Sequence, residues 1–298
     1  MAQKKTLKQI EIATNTDDAT IAEMLAEDAD PNYKLPYSEA FIVKNNLRRP
    51  SEIKREELSS GDFSILTWNC GGAFRKKYNA ILNLEASVYV IQECENPNTS
   101  TDESYKSWGA NCLWIGENKH KGLGVFPAAG VVIEDLLWDA NGLKYFIACR
   151  VNNKFNLVAT WCHGANSPTF GYIGQLWKYL QIHKTKLSNA IIAGDFNSNV
   201  IWDKWDRWWN HSDVLRELAE LGIESLYHKF YNEEQGKEVR PTFYLRKNRT
   251  KSYHIDYIFG STDFADSIKT FAIGHPEQWL ELSDHMPVIL TVGGSNIR

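Results

Sequence analysis

The chain has 298 residues, 43% of them hydrophobic and 23% charged, enough to bury a large core and enough to exclude a fibrous or wholly disordered protein. The formal net charge of −4 excludes a uniformly basic nucleic-acid binder, though not a local basic surface. No apolar run approaches the roughly 18 residues of a membrane span, so no membrane association is expected.

Residues 1–62 differ from the rest. They contain no Trp and carry 9 Lys/Arg against 12 Asp/Glu, whereas the remainder holds 24 against 25. The Lys-rich start, Met1 to Ile12, lacks the apolar stretch of a secretory signal. Five cysteines without metal-type spacing read as reduced thiols in a cytoplasmic protein. Asp18 to Glu27 has the spacing of a short amphipathic helix, with Thr16 or Asp17 as its cap, and Ser51 to Leu58 reads as another. Pro31, Pro36 and Pro50 punctuate the stretch between them. The expectation is a partly helical N-terminal extension over 1–62, suited to docking a protein partner, ahead of a second unit over 63–298.

From Phe63 the pattern changes. Phe63 to Trp68 alternates and predicts a strand. Tyr78 to Leu84 has helical spacing, and Val88 to Ile91 predicts a buried strand ending at Gln92-Glu93. Gly122–Phe126 and Gly130–Ile133 read as paired strands. Tyr145–Val151 and Phe155–Thr160 read as a hairpin turning at Asn152-Asn153. Helices are expected at Tyr172–His183, with Trp177 and Leu180 inward, and at Val214–Leu221. Strands are expected at Ala190–Ala193, Tyr253–Phe259 and Pro287–Val292. Hairpin strands interleaved with helices predict an α/β (α+β type) fold of two packed mixed sheets flanked by helices.

Polar residues gather where these strands end. Asn69 follows the first, Glu93 the second, and Asp195 and Asn197 come in Gly194-Asp195-Phe196-Asn197. Asp256 lies in His254-Ile255-Asp256-Tyr257, and Ser283-Asp284-His285 precedes the last strand. Strand ends that share one rim are common places for an active site. Carboxylate and carboxamide oxygens suit a hard cation, Mg²⁺ or Mn²⁺, and no Cys/His cluster suggests zinc. Taken singly, each residue is as readily a turn or strand-end residue. Their order and combination carry the reading.

That series, a strand ending in Asn, Gln-Glu, a His, Gly-Asp-Phe-Asn, Ile-Asp-Tyr and Ser-Asp-His-x-Pro, resembles the endonuclease/exonuclease/phosphatase superfamily over about Phe63 to Val292. The resemblance implies a four-layer α/β sandwich and a divalent-metal-dependent phosphodiesterase, most simply a nuclease. It implies that Glu93 is the central metal ligand, with Asn69 beside it and Asp284 as a further ligand. Asp195 would orient or deprotonate the attacking water, and Asn197 would fix the phosphate or that water. His285 would act on the scissile phosphate, held in its tautomer by Asp256, and His163 would be a second phosphate-binding group.

The substrate is less clearly written. The chain lacks the Arg after Gly-Asp-x-Asn and the Pro-x-Trp-Cys-Asp-Arg element of the 5-phosphatases, and has Ser198-Asn199 instead. This favours nucleic acid, DNA ahead of RNA, over a small phosphate ester or nucleotide, and over a non-catalytic binding protein. The stretch Arg240-Pro241-Thr242-Phe243-Tyr244, leading into Arg246 and Lys247, resembles a nuclease loop beside the substrate strand. Arg240, Thr242, Phe243, Arg246 and Lys247 are therefore substrate-contact candidates, with Phe243 or Tyr244 stacking on a base. From charge alone, the Lys237–Lys251 run reads first as a solvated loop. Trp202 to Trp209 contains four Trp. Trp205 is a further substrate candidate there, although Trp205, Trp208 and Trp209 at i, i+3 and i+4 more simply predict a helix packed on the core.

Overall fold

The computed structural model describes residues 61–164 and 169–294. The two helices expected at 18–27 and 51–58, and the docking role expected of the extension, lie outside the described residues. Among the described residues, no helix is long and apolar enough to cross a membrane.

The strands are β1 (Phe63–Asn69), β2 (Val88–Cys94), β3 (Leu113–Asn118), β4 (Lys121–Pro127), β5 (Ile133–Asp135), β6 (Phe146–Val151) and β7 (Phe155–Trp161). They continue with β8 (Ala190–Asp195), β9 (Ile223–Ser225), β10 (Phe243–Tyr244), β11 (Ser252–Tyr253), β12 (Asp256–Ser261), β13 (Ile268–Ile273) and β14 (Val288–Val292). One six-stranded sheet runs β13-β14-β1-β2-β4-β3, the other β5-β6-β7-β8-β12-β9, and β10-β11 form a small ribbon. Both large sheets are mixed: β1 pairs with β2, and β7 with β8, in parallel, amid antiparallel neighbours.

Side chains alternate across a strand, and that period assigns the layers. Ile65, Val88, Val90, Leu123, Val125 and Leu290 of the first sheet meet Leu157, Ala159, Ile191, Ala193 and Ile258 of the second in one core. Their neighbours point outward. Leu66, Trp68, Tyr89 and Ile91 pack on Phe74, Tyr78, Ile81 and Trp279. Val158, Ile192, Tyr257 and Phe259 pack on the helices Ile173–His183 and His211–Glu220, through Leu176, Leu180, Val214 and Leu218. The result is the four-layer sandwich expected.

Several local expectations change. Gly122–Phe126 and Gly130–Ile133 do not pair: β4 belongs to the first sheet and β5 to the second, so the short link between them passes from one sheet to the other rather than closing a hairpin. The expected strand at 253–259 is broken at His254-Ile255 into β11 and β12, which join different partners. The helix expected from Val214 starts at His211, because Asn210 and Asp213 cap each other's backbone N–H groups. The Asn152-Asn153 turn forms as expected, both residues having positive φ.

Candidate active site

The same alternation that builds the core delivers the polar residues. Ile191 and Ala193 face the inter-sheet core, so Asp195, two residues on, faces it too. Ile258 does the same for Asp256, and Ile65 for Thr67 and Asn69. Asp195 and Asp256 are direct partners across β8 and β12, and both are wholly buried. Gly194 makes this possible: its φ is +154°, and a Cβ there would lie 1.8 Å from the Thr160 carbonyl oxygen.

Two carboxylates opposite each other are unfavourable unless a cation or a proton intervenes. His285 supplies it. Its Nδ1 lies 2.9 and 3.1 Å from the Asp256 oxygens, and one ligand atom each of Asp195, Asp256 and His285 fall within 4.8 Å of one another. Burial alone would lower the imidazole, but the charges of Asp256 and Asp195 outweigh it and raise His285 to about 10. Burial pushes the Asp195 carboxyl up to about 8, against the pull of His285 and with the push of Asp256. The trio therefore carries an imidazolium and one carboxyl driven toward its neutral form.

His285 is fixed from several sides. Its N–H donates to Ser283 Oγ at 3.0 Å, and its carbonyl accepts from Trp68 Nε1 at 2.9 Å. The Phe243 ring lies 4.6 Å from the imidazole. Behind Asp256, the Thr242 hydroxyl accepts the backbone N–H groups of Ile255 and Asp256, each at 3.0 Å.

Asn69 ties the trio to Glu93. Its Nδ2 donates to Asp195 at 3.0 Å and to Glu93 at 3.2 Å, and its Oδ1 accepts from Gly71 N. Glu93 should point outward by alternation. A bulge between Gln92 and Cys94, with Glu93 at φ +62°, turns its carboxylate to the rim instead. Lys121 Nζ, from the start of β4, stands 3.2 Å from the other Glu93 oxygen. Asp284 borders the same turn, its Oδ1 being 3.8 Å from where a Gly71 Cβ would lie. Lys77 is buried behind this rim and donates to the Cys70 carbonyl at 2.7 Å; burial lowers its pKa.

Asn197 has positive φ, which lets its N–H and Nδ2 both donate to the Asp195 carboxylate, at 2.8 and 2.9 Å. Its Nδ2 also reaches the Cys162 carbonyl at 3.2 Å, next to His163. The His163 ring is 4.8 Å from that of Trp161, the residue paired with Asp195 across β7 and β8.

Hard oxygen donors are thus present at Glu93 and Asp284, with the Asn69 amide beside them. The donor set fits Mg²⁺ or Mn²⁺ better than a soft metal. The tight Asp195–Asp256–His285 trio is less suited to an ion, because its imidazole is already engaged and protonated.

The expected substrate residues do not form one surface. Thr242 has no exposed surface and acts on the backbone at Asp256. Phe243 and Tyr244 are buried, so neither is open to a base; Phe243 is the wall behind His285. Arg240 pairs with Glu233 and lies 3.8 Å over the Tyr231 ring. Lys247 Nζ donates to the Glu281 carbonyl at 3.1 Å, and Arg246 is exposed. The 202–209 segment departs furthest from expectation. It is no helix beyond a short turn at Val200–Trp202, and Trp205 is 97% exposed rather than packed on the core. Sequence reasoning also missed Lys77 and Lys121, two cations brought in from a turn and from the start of β4. The only signal for Lys121 was its place at the head of an apolar strand.

No family model and no curated protein sequence matches the chain. Solved structures do. A 3′–5′ exonuclease, NExo, from Neisseria meningitidis is 20% identical, with a TM-score of 0.59 over 78% of this chain and 100% of that one. A structure of the 3′ phosphatase NExo from Neisseria bound to product DNA hairpin is 19% identical, with a TM-score of 0.58 over 76% and 98%. An AP endonuclease from Archaeoglobus fulgidus is 18% identical, with a TM-score of 0.58 over 76% and 98%. These neighbours belong to one superfamily, and the likeness is one of fold: the chain has the endonuclease/exonuclease/phosphatase fold.

Proposed function

We propose that the chain is a divalent-metal-dependent phosphodiesterase that hydrolyses nucleic acid, DNA ahead of RNA, through a catalytic unit spanning residues 63–298. The observation that carries this reading is the Asp195–Asp256–His285 trio at one end of the inter-sheet core, joined through Asn69 to Glu93. Similarity to nucleases, one bound to a DNA hairpin, supports the substrate class. The five free cysteines are compatible with a cytoplasmic location.

In this reading Glu93, with Asp284 and Asn69, would hold Mg²⁺ or Mn²⁺, which would supply Lewis-acid stabilisation of charge on the phosphoryl oxygens. The protein's own groups do the rest. Asn197 and His163 hold the phosphate and set the line of attack. In its ionised form, which the hydrogen bonds from Asn197 and Asn69 favour against burial, Asp195 takes a proton from the attacking water. The His285 imidazolium donates to a phosphate oxygen as negative charge grows there, and Asp256 keeps its ring oriented.

The test is cleavage of plasmid, single-stranded DNA, RNA and an abasic duplex by the full chain in Mg²⁺, with and without chelator. Chelator-sensitive cleavage of at least one polymer is expected. Cleavage of none, by protein shown to be folded, overturns the proposal.

A further inference from the structure

The 202–209 segment has no part in the chemistry above, and it is built in an unusual way. Trp205 and Trp208 are 97% and 59% exposed. Exposed indole is unfavourable in water, and a loop free to relax would fold it inward. This loop is held open by polar groups beneath it. Asn210, nearly buried, accepts from Lys204 N and from Arg207 Nε at 2.9 and 2.7 Å, and donates to the carbonyls of Lys204 and Arg207 at 2.9 and 2.6 Å. Arg207 also donates to the Trp202 carbonyl at 3.1 Å. Asp203 accepts from the N–H groups of His211 and Ser212 at the start of the next helix. The side chains of Asp203, Arg207 and Asn210 are spent on fixing the backbone, and the Trp205 indole is left exposed.

Both ends of the segment rest on aromatic rings. Trp202 lies 5.0 Å from Tyr253, Tyr253 lies 6.4 Å from Phe243, and Phe243 lies 4.6 Å from His285. At the other end Trp208 lies 4.8 Å from Trp177 and 5.1 Å from Trp209, which lies 4.5 Å from Phe170. Lys178 Nζ stands 4.6 Å over the Phe170 ring. The exposed patch is dominated by flat rings, and buried ring contacts through Phe243 tie its Trp202 end to His285. Asn197 is eight residues before Trp205, a span of at most roughly 28 Å even if fully extended, and the 3₁₀ turn shortens it. An unpaired nucleobase fits such a surface, because every base has a π-face and stacking needs no particular hydrogen-bond pattern.

We infer that Trp205, supported by Trp202 and Trp208, is a stacking platform for an unpaired base close to the scissile phosphate, and that it gives the enzyme a preference for single strands over continuous duplex. This rests on the nucleic-acid reading of the site. The segment's charges, Asp203, Lys204, Asp206 and Arg207, cancel. The contribution of Trp205 is therefore apolar and insensitive to salt, unlike that of phosphate contacts.

The experiment measures binding of the full chain, in chelator to stop turnover, to labelled single-stranded DNA and to blunt duplex by anisotropy, at 50 and 200 mM salt. Trp205→Ala is expected to lower the ratio of single-strand to duplex affinity roughly 5- to 100-fold, by the same factor at both salts, with an unchanged melting temperature. Trp205→Phe is expected to recover most of it. Equal weakening on both substrates, no weakening, or a change confined to oligomeric state would overturn the inference while leaving the proposed function standing. If wild-type protein neither binds nor cuts nucleic acid, the proposed function fails and this inference with it.

Discussion

The catalytic rim and the 202–209 segment leave opposite things unpartnered. In the rim, charged groups are buried and satisfy one another: Asp195, Asp256, His285, Asn69 and Glu93 form one connected network. In the segment, polar groups are also satisfied, but the aromatic surface they support is left in water. A buried network of charges is costly and is poised for one kind of chemistry. An exposed, pre-organised aromatic surface makes no chemistry and awaits a ligand. The two regions divide reaction from recognition, and each can be damaged without the other.

The sharpest break comes at Asp195. Asp195→Asn keeps the shape but removes the base, and its one amide oxygen can replace only one of the two acceptors that Asn197 and Asn69 use, so turnover should fall by roughly a thousandfold or more. Its melting temperature should fall only modestly, since the donors left without an acceptor are partly offset by exchanging a buried carboxyl, pushed up by burial, for a neutral amide. His285→Ala should lose comparable activity and also stability, about 3 kcal/mol, because Asp256 is left buried without its imidazolium. Steady-state kinetics and denaturant melts separate the two effects. Full activity in Asp195→Asn would remove the base from the mechanism.

How far these groups could be read in advance follows from what placed them. Asp195, Asp256 and His285 stand at strand ends, where two-residue alternation carries the core face directly into the site. Glu93 is legible as a residue type but not as a direction, because the bulge that turns it has no marker in Gln92-Glu93-Cys94. Lys121 is legible as a cation at the head of a strand but not as a partner of Glu93, which sheet pairing sets. Thr242 and Phe243 were misread through their basic neighbours; the ribbon of β10 and β11 folds them inward, against β12 and His285. Trp205 was misread through its spacing. The helical pattern i, i+3, i+4 is present, but Asn210 takes up the backbone groups that a helix would have needed.

The second break lies beneath the segment. His211 and His254 are buried, and burial lowers them to about 3 and about 4. Both are neutral in the folded protein, whereas in the unfolded chain each takes a proton below about pH 6.5. Their contribution to stability is therefore full above that value and declines as pH falls, over a window reaching down to about pH 4 for His254 and about pH 3 for His211. At pH 5 the loss is about 2 kcal/mol for each. Glu238, held down to about 2 by hydrogen bonds that outweigh its burial, titrates below this range and leaves the comparison clean. Asp195 and His285, both raised in the fold, contribute a slope of opposite sign in wild type and variant alike, so the comparison lies in the difference. In urea melts from pH 7.5 to 5, His211→Phe should lose stability toward acid less steeply than wild type, by up to about one proton, because neither His211 ring nitrogen has a partner to lose. An unchanged slope would mean that His211 is solvated.

The smallest effect is expected where charge is most abundant. The cations between Lys237 and Lys251 look like a phosphate track in the sequence, but in the fold three of the six are engaged in ion pairs. Lys237 meets Glu234, Arg240 meets Glu233, and Arg249 meets Glu277. Exposed pairs of this kind contribute little to stability and are largely screened at physiological salt. A cation already paired gains less from a phosphate than one facing it alone. Lys237→Ala and Arg249→Ala should each change DNA affinity by less than about twofold at 0.15 M salt, with the slope of log K against log salt moving by well under one phosphate contact. A tenfold loss in either would place the substrate along this loop rather than over Trp205. It would also return recognition to charge, and the division between the two regions would then fail at its recognition half, with the rim's chemistry untouched.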